Sequence, residues 1–155
     1  MAETRLPPWT PTQERVGSVF IRLMTAANVW LFRLSGGRFG ARFPGGAPIC
    51  LVTTRGRKSG DRRTVALLYL RDGDRVVLVA SKGGMSHHPA WYLNMRADPR
   101  CEVEIGKERM TMRARTAGPD ERRALWPRLV AMYGDYASYQ DRTTREIPVV
   151  ICERA

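Results

Sequence analysis

The 155 residues make up the length of one ordinary globular domain, and a hydrophobic content of 43% is enough for a real core. A formal net charge of +11 favours anionic partners, which include nucleic acids, anionic lipids and phosphorylated small molecules. Three widely spaced cysteines without a Cys-x-x-Cys pair argue against a disulfide framework and a zinc site, and predict buried thiols in a reducing compartment. Because no signal peptide or long apolar run is recognisable, we expect a cytoplasmic protein that can still associate with the inner face of the membrane.

Residues 1–46 are predicted to form an N-terminal amphipathic helix and a glycine-rich linker, ahead of a main domain at 47–155. After a proline-rich start, the helix runs from Thr12, a candidate N-cap, to about Leu34. Its apolar face, at three-four spacing, consists of Val16, Val19, Phe20, Leu23, Met24, Ala27, Trp30, Leu31 and Leu34. Two interpretations are open: the helix packs on the domain, or it lies on a membrane or covers an apolar pocket.

The main domain alternates short β-prone runs with turns and two helical segments. The predicted strands are 47–54, 62–70, 75–80, 101–105, 109–115 and 147–152, and the predicted helices are 89–97 and 118–132. Short loops join neighbouring strands, so we expect antiparallel pairing. About six short strands with a few helices indicate an α+β protein with a small antiparallel barrel or sheet.

Two bends in this domain carry exposed positive charge. The first has a dense group of cations interrupted only by Asp61, namely Arg55, Arg57, Lys58, Arg62 and Arg63. The second is Ser81-Lys82-Gly83-Gly84, between a strand and a helix that starts at Pro89; backbone N–H groups beside a helix N-terminus suit an anion. Each bend alone is typical of a solvated turn. If the two lie side by side, they flank one anion-binding groove.

Tyrosines recur near the C-terminus. Tyr133, Tyr136 and Tyr139 repeat every three residues, which on a helix places them in one row. Such a row is usually packing, but buried phenol hydroxyls need partners, so it also predicts an apolar wall that can donate hydrogen bonds to a quinone or a nitroaromatic compound. His87 and His88 have no partner at metal-ligand spacing, so we expect no metal site.

Several separated motifs occur in one order between about Pro48 and Glu153. They are Leu-Val-Thr-Thr-Arg-Gly-Arg-Lys-Ser-Gly, Leu-Arg-Asp-Gly-Asp-Arg-Val, Val-Ala-Ser-Lys-Gly-Gly, Pro-Ala-Trp-Tyr-Leu-Asn and Ile-Pro-Val-Val-Ile-Cys-Glu. In these motifs the chain resembles the deazaflavin-dependent nitroreductases, which use coenzyme F-420. The resemblance implies a split β-barrel of the pyridoxamine-phosphate-oxidase-like, FMN-binding type. It also implies hydride transfer from the reduced coenzyme to a menaquinone-like quinone, a nitroaromatic compound or an enone.

The resemblance also implies roles for individual residues. The positions that match cofactor contacts of the family are Arg57, Lys58, Arg63, Lys82, Trp91 and Asn94, and the positions that match its catalytic pocket are Ser81, Tyr133, Tyr136 and Tyr139. We expect Tyr133 and Tyr136 to polarise or protonate the acceptor and Tyr139 to shape the pocket. Two departures stand out: residues 65–68 are Val-Ala-Leu-Leu where the family commonly has Asn-Pro-Leu-Tyr, and His88 replaces an asparagine that caps the following helix.

Other functions remain open at this stage. A split barrel can bind FMN or heme, and a member of this family can carry coenzyme F-420 without catalysis. A basic nucleic-acid-binding barrel is disfavoured because no aromatic side chains are interleaved with the basic loop. The expected partner is a small-molecule acceptor, with peripheral membrane contact through the N-terminal helix as a further option.

Overall fold

The computed structural model describes residues 5–155. The strands are β1 (Ile49–Arg55), β2 (Arg62–Leu68), β3 (Leu70–Asp72), β4 (Arg75–Val79), β5 (Arg100–Ile105), β6 (Glu108–Thr116) and β7 (Val149–Arg154). The helices are α1 (Pro11–Leu34), α2 (Ala90–Ala97), α3 (Pro119–Met132) and α4 (Asp135–Arg142), with a short 3-10 turn over Lys82–Gly84. Apart from the strand predicted over residues 62–70, the predicted helices and strands are present, with boundaries shifted by at most two residues.

The strands form a single antiparallel sheet in the spatial order β2-β1-β5-β6-β7-β4-β3, which confirms the predicted α+β class. β2 and β3 lie at the two edges, so the sheet is not closed. The prediction of one strand over residues 62–70 was wrong, because the chain changes partner at Tyr69. Up to Leu68 it pairs with β1, and from Leu70 it pairs with β4.

Hydrophobic side chains pack on both faces of this sheet. Along β4, Val76 and Leu78 enter one cluster, which α2 covers, whereas Val77 and Val79 enter a second cluster against α3 and α4. This alternation follows from the two-residue period of a strand. Cys50, Cys101 and Cys152 are buried free thiols in the first cluster, as the sequence predicts.

Helix α1 contacts the domain with its polar side, not with its apolar face. Thr10 caps it, not Thr12 as predicted. The Thr10 hydroxyl accepts from the Gln13 N–H, and the Gln13 side-chain oxygen accepts from the Thr10 N–H. Only Phe32 of this helix is buried. The half-buried positions at three-four spacing are mostly small or polar, namely Glu14, Gly17, Ser18, Thr25, Asn28 and Val29. The predicted apolar face is instead open to solvent: Leu23 is 67% and Leu34 is 70% exposed.

Candidate active site

The turn after β4 places three consecutive residues in the left-handed region. The φ angles of Lys82, Gly83 and Gly84 are 45°, 63° and 77°. A non-glycine residue such as Lys82 loses roughly 1–2 kcal/mol there, so the surroundings must hold the turn in place. At Gly84 a side chain would also collide with α4, since a Cβ would lie 2.6 Å from the Tyr139 carbonyl oxygen. The turn that carries Lys82 therefore abuts the tyrosine-bearing helix directly.

Two residues from the N-terminal part of the chain form hydrogen bonds to this turn and to the residues that follow it. The Trp9 indole Nε1 donates to the Gly83 carbonyl at 2.8 Å. The carboxylate of Glu14, in α1, accepts from the Ser86 backbone N–H at 2.7 Å and from the Ser86 hydroxyl at 2.9 Å. Sequence reasoning missed both anchors, because neither Trp9 nor Glu14 belongs to a motif and each contacts a segment more than 70 positions away.

The Lys82 ammonium lies in a setting that an anion would improve. Burial lowers its pKa, and the nearby charges of Arg22 and Arg145 act in the same direction, whereas Glu14 opposes them. The Glu14 carboxylate therefore faces three cations, Lys82, Arg22 and Arg145. A negatively charged ligand beside Lys82 would restore the balance and stabilise the charged form of the lysine.

The loop between β1 and β2 is held against α2 by Asn94. The Asn94 Oδ1 accepts from the Arg57 backbone N–H at 3.1 Å, and its Nδ2 donates to the Thr54 hydroxyl at 3.2 Å. Asn94 therefore fixes the loop that carries Arg57 and Lys58 against α2, whereas the Lys82 turn packs on α4. Over residues 5–155, neither Arg57 nor Lys58 forms an ion pair, and both are exposed.

The other residues predicted to contact the cofactor differ in their exposure and in the contacts that they already form. Arg63 is exposed and lies 3.6 Å from Asp61. Trp91 and Asn94 occupy the buried side of α2, and Trp91 is only 7% exposed, with its ring packed in the core. Asn94 acts on the hairpin loop through its two internal hydrogen bonds. Contact of these residues with a cofactor stays a prediction.

His88 does not cap α2. The N-cap position is Pro89, which offers no side-chain hydrogen bond. The imidazole turns instead toward Arg145, with 3.1 Å between His88 Nδ1 and Arg145 Nη1. A weaker cap was expected where histidine replaces the asparagine; His88 provides none, because it precedes the N-cap position and its ring nitrogen faces Arg145.

The three tyrosines form a cluster, but not on one helix. Tyr133 follows the end of α3, whereas Tyr136 and Tyr139 lie on α4, so the predicted single row was wrong. The break at Gly134 lets the rings gather, with centroids of Tyr136 5.0 Å from Tyr133 and 6.4 Å from Tyr139. The hydroxyls of Tyr133 and Tyr139 are 3.1 Å apart. An unbroken helix would have kept residues six positions apart from meeting in this way.

The hydroxyls of Tyr133 and Tyr136 stay protonated well above neutral pH. Burial raises the pKa of Tyr136, and burial together with the hydrogen bond to Tyr139 raises the pKa of Tyr133. Tyr136 is 4% exposed, and its hydroxyl has no hydrogen-bond partner among the described residues. The ring of Phe43, from the glycine-rich linker, packs edge-on against Tyr133 at 5.6 Å. The cluster thus offers an apolar surface with a free O–H donor.

Comparisons with known proteins identify a matching family and related structures. The family described as F420H(2)-dependent quinone reductase matches residues 24–154. An F420H(2)-dependent quinone reductase of Mycobacterium tuberculosis is 38% identical over 145 residues, which cover 92% of this chain and 95% of that protein. A solved F420-H2 dependent reductase is 42% identical with a TM-score of 0.64, covering 68% of this chain and 94% of its own.

A more distant likeness concerns the fold alone. A solved Listeria innocua protein described as a pyridoxamine 5'-phosphate oxidase is 11% identical, with a TM-score of 0.50 over 68% of this chain and 82% of its own. It supports the predicted split-barrel architecture of the pyridoxamine-phosphate-oxidase-like type.

Proposed function

Since the chain belongs to the F420H(2)-dependent quinone reductase family, we propose that it is an oxidoreductase that reduces a quinone with reduced coenzyme F-420. The observation that carries this proposal is the contact between the Lys82 turn and the tyrosine cluster, where Gly84 abuts the backbone of Tyr139. A cationic turn suited to an anionic coenzyme therefore adjoins protonated phenols suited to an acceptor oxygen.

The described residues fit a coenzyme with a phosphate and a polyglutamate tail. Arg57 and Lys58 are exposed cations without a carboxylate partner in residues 5–155, and Lys82 gains from an added negative charge. Charge-assisted hydrogen bonds from such groups are worth about 1.5–3 kcal/mol each. We infer that these three side chains, with Arg63, bind the anionic part of the coenzyme, and that Ser81 and Trp91 lie near its ring.

The protein's own contribution to the reaction is positioning and proton donation. When bound, the reduced deazaflavin supplies a hydride to the acceptor. The free hydroxyl of Tyr136 donates a hydrogen bond to the acceptor oxygen, where negative charge develops during reduction. Tyr139 orients Tyr133 through the bond between their hydroxyls, and Tyr133 serves as a second donor or proton source. The aromatic side chains, including Phe43, exclude water from this surface.

The same hydroxyl can also serve acceptors other than quinones. A nitro group or an enone carbonyl presents an oxygen to which Tyr136 can donate, so nitroaromatic compounds and enones are secondary candidates. We favour a menaquinone-like acceptor because the exposed apolar face of α1 gives the protein a means of reaching a lipid-dissolved substrate.

We propose that this face lies on the membrane surface. Its large apolar side chains point outward, and Arg15 and Arg22 are exposed on one flank, where they can meet anionic headgroups. Among residues 5–155, none of the helices combines the length and apolarity needed to span a bilayer. The face therefore suits a helix that lies in the interface plane.

The catalytic proposal is tested by mixing the protein with reduced coenzyme F-420 and a water-soluble menaquinone analogue, and following oxidation of the coenzyme by its absorbance. We expect oxidation that requires both protein and quinone. Parallel titrations with FMN, heme and an oligonucleotide should show weaker binding than coenzyme F-420. Tight binding of FMN or heme in place of coenzyme F-420 would contradict the proposal, and coenzyme binding without turnover would indicate a carrier.

The membrane proposal is tested by sedimentation with phosphatidylglycerol vesicles and with phosphatidylcholine vesicles. We expect binding to the anionic vesicles that is lost in the double variant Leu23→Gln, Leu34→Gln and kept in the control Ala26→Gln, which changes the arginine flank of α1. If sedimentation velocity instead shows a dimer that the double variant dissociates, the face is an interface between two copies and the membrane proposal fails.

A further inference from the structure

A single arginine outside the predicted site holds the segment that carries Lys82. Arg145 lies between α4 and β7, and its guanidinium donates to three carbonyl oxygens of that segment. The distances are 3.3 Å to Ala80, 2.8 Å to Ser81 and 2.9 Å to Met85. Together with the contact to His88, these bonds use four of the five guanidinium N–H groups.

The bonds of Arg145 enclose the strained turn from both sides. Ala80 and Ser81 precede Lys82, Gly83 and Gly84, and Met85 follows them, so the guanidinium fixes the entrance and the exit of the left-handed stretch. Over residues 5–155, Arg145 forms no ion pair with a carboxylate, although it is half-buried. Its charge is therefore satisfied by backbone dipoles, which require this conformation of the turn.

Arg145 also selects the tautomer of His88. A guanidinium has no acceptor, so the 3.1 Å contact requires the lone pair of His88 Nδ1 and places the ring proton on Nε2. Protonation of Nδ1 would break this bond. Burial and the positive charges of Arg145 and Arg96 lower the pKa of His88, and the ring of Tyr92 packs against it at 5.0 Å.

We propose that Arg145 is a positioning residue for the coenzyme: it holds the Lys82 turn in its left-handed conformation, with neutral His88 as its fourth acceptor, so that the Lys82 ammonium meets the anionic part of coenzyme F-420. The inference rests on the proposed function, since it assigns Arg145 an effect through Lys82. Arg145 itself need not touch the coenzyme.

The first test compares Arg145→Met with a matched control, Arg122→Met. Arg122 donates to the Ile147 carbonyl, in the segment after α4, at 3.2 Å and to the Gln140 side chain in α4 at 3.1 Å, but it has no bond to the Lys82 turn. By fluorescence quenching, we expect the Kd for coenzyme F-420 to rise at least tenfold in Arg145→Met and less than twofold in Arg122→Met. Equal effects in the two variants would mean that Arg145 is merely structural.

The second test asks whether Arg145 acts through Lys82. In a Lys82→Ala background, Arg145→Met should weaken coenzyme binding by less than threefold, because the group that it positions is already absent. A full tenfold effect in both backgrounds would overturn the inference. If wild-type protein fails to bind the coenzyme, the proposed function fails. If Lys82→Ala weakens binding and Arg145→Met does not, only the present inference fails.

The third test does not depend on a stable methionine variant. Arg145→Lys keeps the charge but presents its donors from one nitrogen, so we expect binding to stay at least fivefold weaker than wild type; full recovery would contradict a role for the fork. Nitrogen NMR of wild-type His88 should show the neutral Nε2–H tautomer at pH 7. An Nδ1–H tautomer would contradict the geometry whatever the coenzyme data show.

Discussion

Helices α1 and α2 are attached to the protein in opposite ways. α2 has eight residues and buries Trp91, Tyr92, Asn94 and Met95, whereas α1 has 24 residues and buries only Phe32. α1 is held near its two ends by polar contacts: Glu14 accepts from Ser86, and Arg33 donates to Glu104 at 3.0 Å.

The difference shows which features depend on the core and which do not. α2 is part of the core and keeps the hairpin loop in place through Asn94. α1 contributes little apolar burial, so its large outward side chains are free for a surface such as a lipid bilayer. Substitutions in α2 should therefore lower the stability of the fold, whereas loss of the polar contacts of α1 should release this helix from the domain.

The largest expected effect compares one methionine in each helix. Met95→Ala removes a side chain that is 4% exposed and should lower the free energy of unfolding by about 2–5 kcal/mol. Met24→Ala changes a residue that is 55% exposed and should change it by less than about 0.5 kcal/mol. Urea unfolding followed by circular dichroism measures both. Similar losses in the two variants would mean that α1 is also part of the core.

The next largest effect is on turnover, and we expect it from the buried Tyr136 and not from the exposed face of α1. Tyr136→Phe should lower kcat with a water-soluble quinone by about 100-fold, because it removes the donor to the developing oxyanion. The Kd for coenzyme F-420 should change less than twofold. Leu23→Gln on α1 should leave kcat unchanged in the same assay. Full activity of Tyr136→Phe would exclude its hydroxyl from the reaction.

The smallest effect is a release of α1 in acid. Hydrogen bonding by Ser86 lowers the pKa of Glu14. Burial acts to raise the pKa of Glu104, but hydrogen bonds from Arg33 and Arg109 outweigh burial and bring this pKa below its ordinary value. Carboxyls with depressed pKa values stabilise docking above their unfolded pKa of about 4.3, and lose that contribution as the pH falls through the folded values.

Below about pH 4, amide hydrogen exchange in α1 should therefore speed up by about fivefold relative to α2, after correction for the intrinsic effect of pH on exchange. The double variant Glu14→Gln, Glu104→Gln should exchange faster already at pH 7. Parallel behaviour of the two helices from pH 7 to pH 3 would contradict polar anchoring of α1.

The strand pattern was predictable because β5 and β6 carry local two-residue alternation and β4 is a short, mostly β-branched apolar run, each next to a clear turn. The split of residues 62–70 was not, because the change of partner at Tyr69 depends on where β4 lies in space. The apolar face of α1 was also correctly located along the sequence. Which way that face points depends on the polar partners Ser86 and Glu104, far along the chain.

The candidate site shows the same division. Motifs identified the Lys82 turn and the three tyrosines, and the structure brings these together through Gly84 and Tyr139. Arg145 escaped notice because a lone arginine in a loop has no periodic or motif signal. Its role emerges only when its donors meet carbonyls about 60 positions away.

We propose that the two basic bends bind one anionic coenzyme. The most direct test is to measure the Kd for coenzyme F-420 in Lys58→Ala, Lys82→Ala and the double variant, at low and at high salt. At low salt we expect each single variant to bind about tenfold more weakly than wild type, with smaller differences at high salt. Unchanged affinity in both single variants would contradict the claim.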